Sequence, residues 1–365
     1  YWGNDLNFMR GQANIGTIRM EVFADATAMF EAFKAGELST MRETNAAKWA
    51  RDYDFPRVRS GEVVLSEIPH QRPTGMTGYV MNTRREAFQD WRVREALITA
   101  FNFEFINQTL NDGAQPRITS YFANSVLGMR DGPAEGRVAE LLAPYKDELL
   151  PGALEGYSFP VSDGSERNRD GIARAMGLFE EAGFTIENGV RMSPDGAPFS
   201  FEILLGQGSS EVQSTVDIYV EALKRLGIEP RVSVVDSAQL KERTDAYDFD
   251  MVYYRWGLSL SPGNEQRLYW GADGVETPGS RNMMGVASPA IEAMVDEMLT
   301  ADSQDDYRAA VRALDRILTS GRYVIPLWHN PISWIAHDAA LHYPEQLPMY
   351  GDWIGFQPDV WWVEE

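Results

Sequence analysis

Phe199-Ser200-Phe201-Glu202-Ile203-Leu204-Leu205-Gly206-Gln207-Gly208-Ser209-Ser210 is the stretch on which the fold turns. Phe199–Leu205 is an apolar-rich run of strand length, closed by the turn residues Gly206 to Ser209. Ser210 then offers a helix cap, and Gln213 completes a capping box, predicting a helix that runs to Leu226 and stops at Gly227. Pro230–Val235 reads as the next strand, a short helix follows Asp236, and Phe249–Trp256 is another strand. Alternating strands and helices of this kind lay helices on a sheet with some parallel pairing, so the fold class is α/β.

Downstream, Ser288-Pro289 pairs a cap with a proline at the first helical position and opens a helix to Leu299. Ser303 with Asp306 opens another to Leu318, ended by Gly321. Tyr323–Trp328 and Ser333–Ala336 read as closing strands, and the Pro- and Trp-rich tail from Tyr343 as irregular. Upstream, a helix spans Asp170–Ala182, while residues 128–168, rich in Gly, Pro and charge, read as a movable surface excursion with one short helix near Val138–Tyr145. Asp90–Leu110 reads as one long helix, with Trp91, Val93, Ala96, Leu97, Ala100 and Phe101 at helical spacing. Val63–Ile68 and Met76–Asn82 read as strands. Ala28–Phe33 lies on a helix preceded by Asp25 and closed by Gly36. Ile18–Phe23 alternates apolar and polar residues, which predicts a strand with one buried face.

The chain has 365 residues, enough for about two to three domains. Its 44% hydrophobic content is that of a globular protein with a sizeable core. Asp and Glu number 54 against 33 Lys and Arg, a net charge of −21. That balance argues against nucleic-acid partners and anionic lipid surfaces, both of which ask for a basic footprint. No apolar run is long enough to span a bilayer. The absence of cysteine excludes disulfides, thiol nucleophiles and zinc ribbons. The opening Tyr1-Trp2-Gly3-Asn4 has no initiator Met and no signal-type segment, as in a mature exported protein or a fragment of a longer one.

Catalytic signatures are sparse. There is no nucleophile elbow and no phosphate loop. Gly206-x-Gly208 lacks the third glycine of a dinucleotide cradle and reads as a tight turn. His70, His329, His337 and His342 form no close ligand pair, so no metal and no cofactor is expected. The carboxylates show no spacing that singles out an acid pair. The most unusual segment is Tyr253-Tyr254-Arg255-Trp256-Gly257-Leu258-Ser259-Leu260-Ser261-Pro262-Gly263-Asn264-Glu265-Gln266-Arg267. A strand ends in aromatics and passes into a loop of hydroxyls, an amide and charges. Gly279-Ser280-Arg281-Asn282 follows, with one fixed cation suited to a carboxylate or phosphate. The residues leave two readings open here: a small-ligand wall, or two ordered loops around a buried Trp.

Several segments together resemble the extracellular solute-binding proteins of family 5, the oligopeptide- and dipeptide-type substrate-binding proteins of ABC importers. Tyr1-Trp2-Gly3 resembles the family's N-x-x-Y-W-G turn, and Phe30–Glu37 its "AL.AGE.D" helix end. Asn82-Thr83 with Asp90–Leu97 resembles its "N…D.RVR.AL..A.D" signature, with Asn102 where Asp is usual. Leu223–Ile228, Tyr247–Met251, and Asn282, Gly285 and Ser288-Pro289 resemble "L..IGI", "YDM" and "N..GY.NP". The loop Leu258–Arg267 with Gly279–Asn282 is similar to the branch whose importers carry oligopeptides and microcin C.

The resemblance implies a type II (cluster C) two-lobe periplasmic binding fold, here lacking the N-terminal part of lobe I and the extra domain. Residues 1–69 would be partial lobe I, 70–325 lobe II, and 326–365 the return to lobe I. It implies a non-enzymatic receptor, exported to a Gram-negative periplasm, that captures an oligopeptide or peptide conjugate. Two lobes close on the ligand and hand it to an inner-membrane ABC permease with its ATPase. Tyr254, Trp256, Ser259 and Asn264 are the expected lobe II wall, with Arg281 and Asn282 beside them. Better-known relatives carry in this loop an Asp for the peptide's amino group; this chain has Ser259 near that place and no Asp nearby, a departure from the family's pattern. The alternatives are a periplasmic acid-pair hydrolase, or a peptide-binding chaperone or sensor.

Overall fold

The computed structural model describes residues 6–23, 26–208, 210–352 and 355–364. The strands are β1 (Thr40–Glu43), β2 (Val63–Pro69), β3 (Met76–Met81), β4 (Thr185–Glu187), β5 (Val190–Met192), β6 (Glu202–Gly206), β7 (Arg231–Val235), β8 (Met251–Trp256), β9 (Val324–Pro326), β10 (Ile332–Asp338), β11 (Leu341–His342) and β12 (Trp362–Val363). The helices are α1 (Ala26–Ala35), α2 (Ala46–Asp52), α3 (Pro56–Arg59), α4 (Trp91–Ala100), α5 (Phe103–Asn111), α6 (Gly136–Leu142), α7 (Arg169–Glu181), α8 (Ser210–Arg225), α9 (Ser237–Asp245), α10 (Glu265–Trp270), α11 (Pro289–Thr300) and α12 (Gln304–Ser320). The chain divides into two compact units, Tyr1–Arg72 with Asn330–Glu365, and Pro73–His329.

The unit Pro73–His329 is built on a five-stranded sheet in the order β7-β6-β8-β3-β9. β6 runs parallel to β7 and β8, while β3 runs antiparallel to β8 and β9. Period-two alternation sends side chains to opposite faces. Met76, Val80, Leu204, Val252, Trp256 and Val324 pack with Ile291, Met294, Leu314 and Leu318 of α11 and α12. Tyr79, Met81, Ile203, Leu205, Met251 and Ile325 pack with Val93, Leu97, Phe179, Val216 and Leu223 of α4, α7 and α8. The unit is therefore a helix–sheet–helix sandwich with a core on each face. Glycine permits the closest approach at two points of β3's run. A Cβ at Gly78 would lie 2.0 Å from the Ile325 carbonyl oxygen, and one at Gly75, where φ is +64°, 2.1 Å from that of Trp256.

Three expectations for this unit need correction. The helix foreseen over Asp90–Leu110 is two helices, α4 and α5. Asn102 interrupts it, its side chain capping Phe105 N and donating to Ser165 O at 2.6 Å. Ser210 is the first residue of α8 rather than its cap, and Gln213 reaches forward to Asp217 at 2.9 Å. Ser209 lies outside the described residues. Residues 128–168 are no loose excursion. Arg316 of α12 spends its guanidinium on the carbonyls of Arg130, Gly132, Ala153 and Leu154, and Tyr157 bonds the buried Glu95 at 2.7 Å.

The other unit carries the antiparallel sheet β1-β10-β2, with Trp334 opposite both Glu43 and Glu67. Phe30, Phe33, Trp49, Tyr53 and Phe55 of its helical segment form one core, and Ile68, Ile335, Phe356 and Trp361 another. Buried Asp352 accepts from Arg72 at 2.9 Å and also meets Ser333 and Arg42. The strand expected at Ile18–Phe23 is not formed, and Ile18, Met20 and Val22 are 58%, 88% and 95% exposed. A strand takes its hydrogen bonds from a neighbour, and this segment has no sheet partner among the described residues. The Tyr1-Trp2-Gly3 turn and Asp25 lie outside the described residues.

Candidate functional site

β6, β7 and β8 are parallel, so their carboxyl ends meet at one edge of the sheet. In open α/β sheets that edge is where ligands sit. β8 ends there at Trp256 and runs into the loop Gly257–Asn264, which α10 closes.

Trp256 is 2% exposed. Its ring packs 5.2 Å from Trp270, 4.8 Å from Tyr254 and 6.5 Å from Tyr121. Its Nε1 donates to the carbonyl of Arg281 at 3.1 Å. The aromatic wall thus holds the neighbouring loop as well as itself. Tyr254 is half-buried, and burial pushes its hydroxyl above the usual tyrosine range while the charge of Arg281 opposes that shift.

Ser259 is half-exposed, and its hydroxyl accepts from Ser261 N at 3.1 Å. Asn264 is exposed at the start of α10 and makes no side-chain cap bond. Glu265 turns back on its own loop, accepting from Gly263 N at 2.9 Å and Gln266 Nε2 at 3.2 Å. Tyr307 of α12 ties the loop down through Pro262 O at 2.8 Å.

The second loop is held more firmly. Asn282 is fully buried, bonding Gly271 O at 3.0 Å, Val286 O at 2.8 Å and Val286 N at 3.0 Å. Its polar atoms belong to the loop. Arg84 stacks 3.7 Å above the Tyr247 ring and donates to the carbonyls of Val275 at 2.7 Å and Asn282 at 2.9 Å. Tyr247 in turn bonds Gly274 O, Thr277 O and Ser280. Arg281 projects from this frame exposed, 5.8 Å from the Tyr269 ring centre. The structure therefore brings Tyr254, Trp256 and Arg281 together, and gives Trp256 and Asn282 supporting positions. The locking pair Arg84 and Tyr247 escaped sequence reasoning, since 163 residues separate them and no local spacing marks them.

Two concave sites lie elsewhere. One of about 250 Å³ is lined by Asn102, Phe105, Ile218, Tyr219 and Arg225, and one of about 500 Å³ by Thr83, Arg94, Leu149, Ser288 and Tyr323. Neither includes the loop after β8. Among the described residues no three His, Asp or Glu side chains converge on a metal position. Among them, too, no helix is long and apolar enough to cross a membrane.

Residues 1–276 match the description of bacterial extracellular solute-binding proteins, family 5, middle portion. The chain belongs to family 5. It is 39% identical over 363 residues to a protein of Brucella melitensis named as a binding protein, covering 99% of this chain and 58% of that one. It is likewise 39% identical over 367 residues to a probable peptide-binding protein, YejA, of Agrobacterium fabrum, covering 99% and 59%. The chain thus spans little more than half the length of these family 5 relatives. Among solved structures, the oligopeptide-binding protein AppA of Bacillus subtilis, in complex with a nonapeptide, superposes with a TM-score of 0.70 at 18% identity. That match covers 94% of this chain and 60% of AppA, and it shows the α/β fold of type II binding proteins.

Proposed function

We propose that the chain forms part of an exported receptor that captures oligopeptides or peptide conjugates for an inner-membrane ABC permease and its ATPase. The unit Pro73–His329 is read as lobe II and the other unit as the part of lobe I that this chain contributes. The observation that carries the proposal is a pre-locked wall of aromatic and polar groups at the carboxyl edge of a family 5 sheet. Tyr254, Ser259, Asn264 and Arg281 face the ligand in this reading, backed by Trp256 and Asn282. The peptide-binding name of one relative and the nonapeptide bound to AppA point to the same ligand class. A peptide met through its main chain and an aromatic surface needs no single side chain, which suits a receptor of broad preference. Ligand acts by favouring the closed form over the open one, and no covalent step is required. The extracellular character of the family supports export, which this reading takes to be to the periplasm.

Native mass spectrometry of the purified protein tests this. The expected result is a small adduct, released on mild denaturation, that fragments as a peptide. A protein that is empty and binds nothing from a mixed peptide pool would sink the receptor reading.

A further inference from the structure

We propose that Arg281 is an anion-selecting subsite of this wall, and that the preferred ligands present a carboxylate or phosphate to it. The proposal rests on the reading that the wall holds a ligand.

The backbone of Arg281 is fixed on both sides of the peptide unit. Its N–H donates to Leu268 O at 3.1 Å, and its carbonyl accepts from Trp256 Nε1 at 3.1 Å. The flanking residues are equally held, Ser280 through Gly274 O at 2.8 Å and Asn282 through its three bonds to Gly271 and Val286. With the backbone already fixed, pairing of the guanidinium costs only the rotamer freedom of the side chain.

The guanidinium itself has no carboxylate within salt-bridge distance among the described residues. Its contacts there are the Tyr269 ring and a long 3.4 Å approach to the Tyr269 hydroxyl. Acids outnumber bases 54 to 33 in this chain. Arg267, nearby on α10, shows the common outcome, pairing with both Glu292 and Asp296.

The adjoining loop carries a single negative charge, whose side chain is hydrogen-bonded within the loop. Glu265 is its sole carboxylate between Trp256 and Gly271, and that side chain is turned back onto Gly263 and Gln266. An incoming ammonium group therefore meets a hydroxyl and a cation. An incoming carboxylate or phosphate meets a planar donor fork that matches its oxygens. The Tyr254 and Tyr269 rings beside it exclude part of the solvent, which strengthens a charge pair over one in open water.

The test compares tri-, tetra- and penta-alanine as free acids and as C-terminal amides, with penta-alanine amide carrying one phosphoserine as a further probe. Binding to the full chain is measured by calorimetry for wild type, R281K and R281Q, with thermal unfolding to show that the variants are folded. The expected result is at least tenfold tighter binding of the free acids than of the amides. That gap should close in R281Q and persist in part in R281K. Recovery of affinity by the phosphoserine amide would make the subsite a general anion site; no recovery would make it a carboxylate site. Equal affinity for acid and amide in wild type, or equal weakening of both by R281Q, would overturn the subsite alone. Failure of every probe to bind wild type would overturn the receptor reading and the subsite with it.

Discussion

The indole Nε1 of Trp256 donates to the backbone carbonyl of Arg281 across 3.1 Å, joining the end of β8 to a loop 25 residues further along. The ring belongs to the core and its one polar atom belongs to the candidate site, so packing and presentation of the cation are coupled.

Trp256→Phe separates the two roles. Phenylalanine keeps most of the apolar volume but leaves the Arg281 carbonyl without its donor, a loss of about 1–2 kcal/mol. For a unit of this size that is a fall of roughly 3–6 °C in melting temperature. Trp256→Ala adds a cavity and should cost about 3–5 kcal/mol. Circular-dichroism melts check both. An unchanged melt for W256F would show that the bond contributes nothing.

Arg84→Lys addresses the lock beneath the second loop. Arg84 reaches Val275 O, Asn282 O and Asn82 Oδ1 with one planar group stacked on Tyr247. Lysine cannot reproduce that fork. Hydrogen exchange should show faster exchange confined to residues 271–288, with β3, β6 and β8 unchanged. Uniform protection across the unit would rule out Arg84 as the lock.

The residues that made the family legible are mostly those that pin turns. Asn82 bonds the carbonyls of Tyr247 and Phe249, joining two of the matching motifs, and Asp90 and Ser288 cap α4 and α11. Such positions tolerate few side chains and so form recognisable patterns. The five-stranded sheet was readable for a related reason, since period two and helix caps are local signals. The division of roles at the candidate site was not. Asn282 is buried by bonds to the backbone of Gly271 and Val286, and backbone groups leave no mark in a sequence, while the packing of Trp256 is completed by Tyr121, 135 residues earlier. Asn102 could have been read as a helix break, being a good cap residue inside an apolar run, but its partner Ser165 is 63 residues away.

His329 makes stability depend on pH. Burial pushes its pKa from 6.5 down to about 4, and its buried Nδ1 has no hydrogen-bond partner among the described residues. The unfolded chain then binds the proton more readily than the folded one between those values. Stability is complete above pH 6.5 and is lost as the pH falls towards 4. The full span corresponds to about 3 kcal/mol. Denaturant titrations at intervals across this range should show H329Q with a shallower slope than wild type. Identical slopes would mean that His329 is hydrated in solution.

The segment 17–23, which has no sheet partner among the described residues, gives the last expectation. Met20 and Val22 are 88% and 95% exposed, and alternate with Arg19 and Glu21 in the pattern of a strand. Exposed side chains contribute little to folding, so M20K/V22K should shift stability by less than about 0.5 kcal/mol. Association is a different matter. An apolar strand with free backbone groups is a template for pairing between chains, and lysine on such a strand opposes it. Light scattering on a sizing column should show concentration-dependent assembly of the unmodified chain and its loss in the double variant. A monomer in both cases would show that the segment is covered in solution. A large fall in stability would place the two side chains in a core.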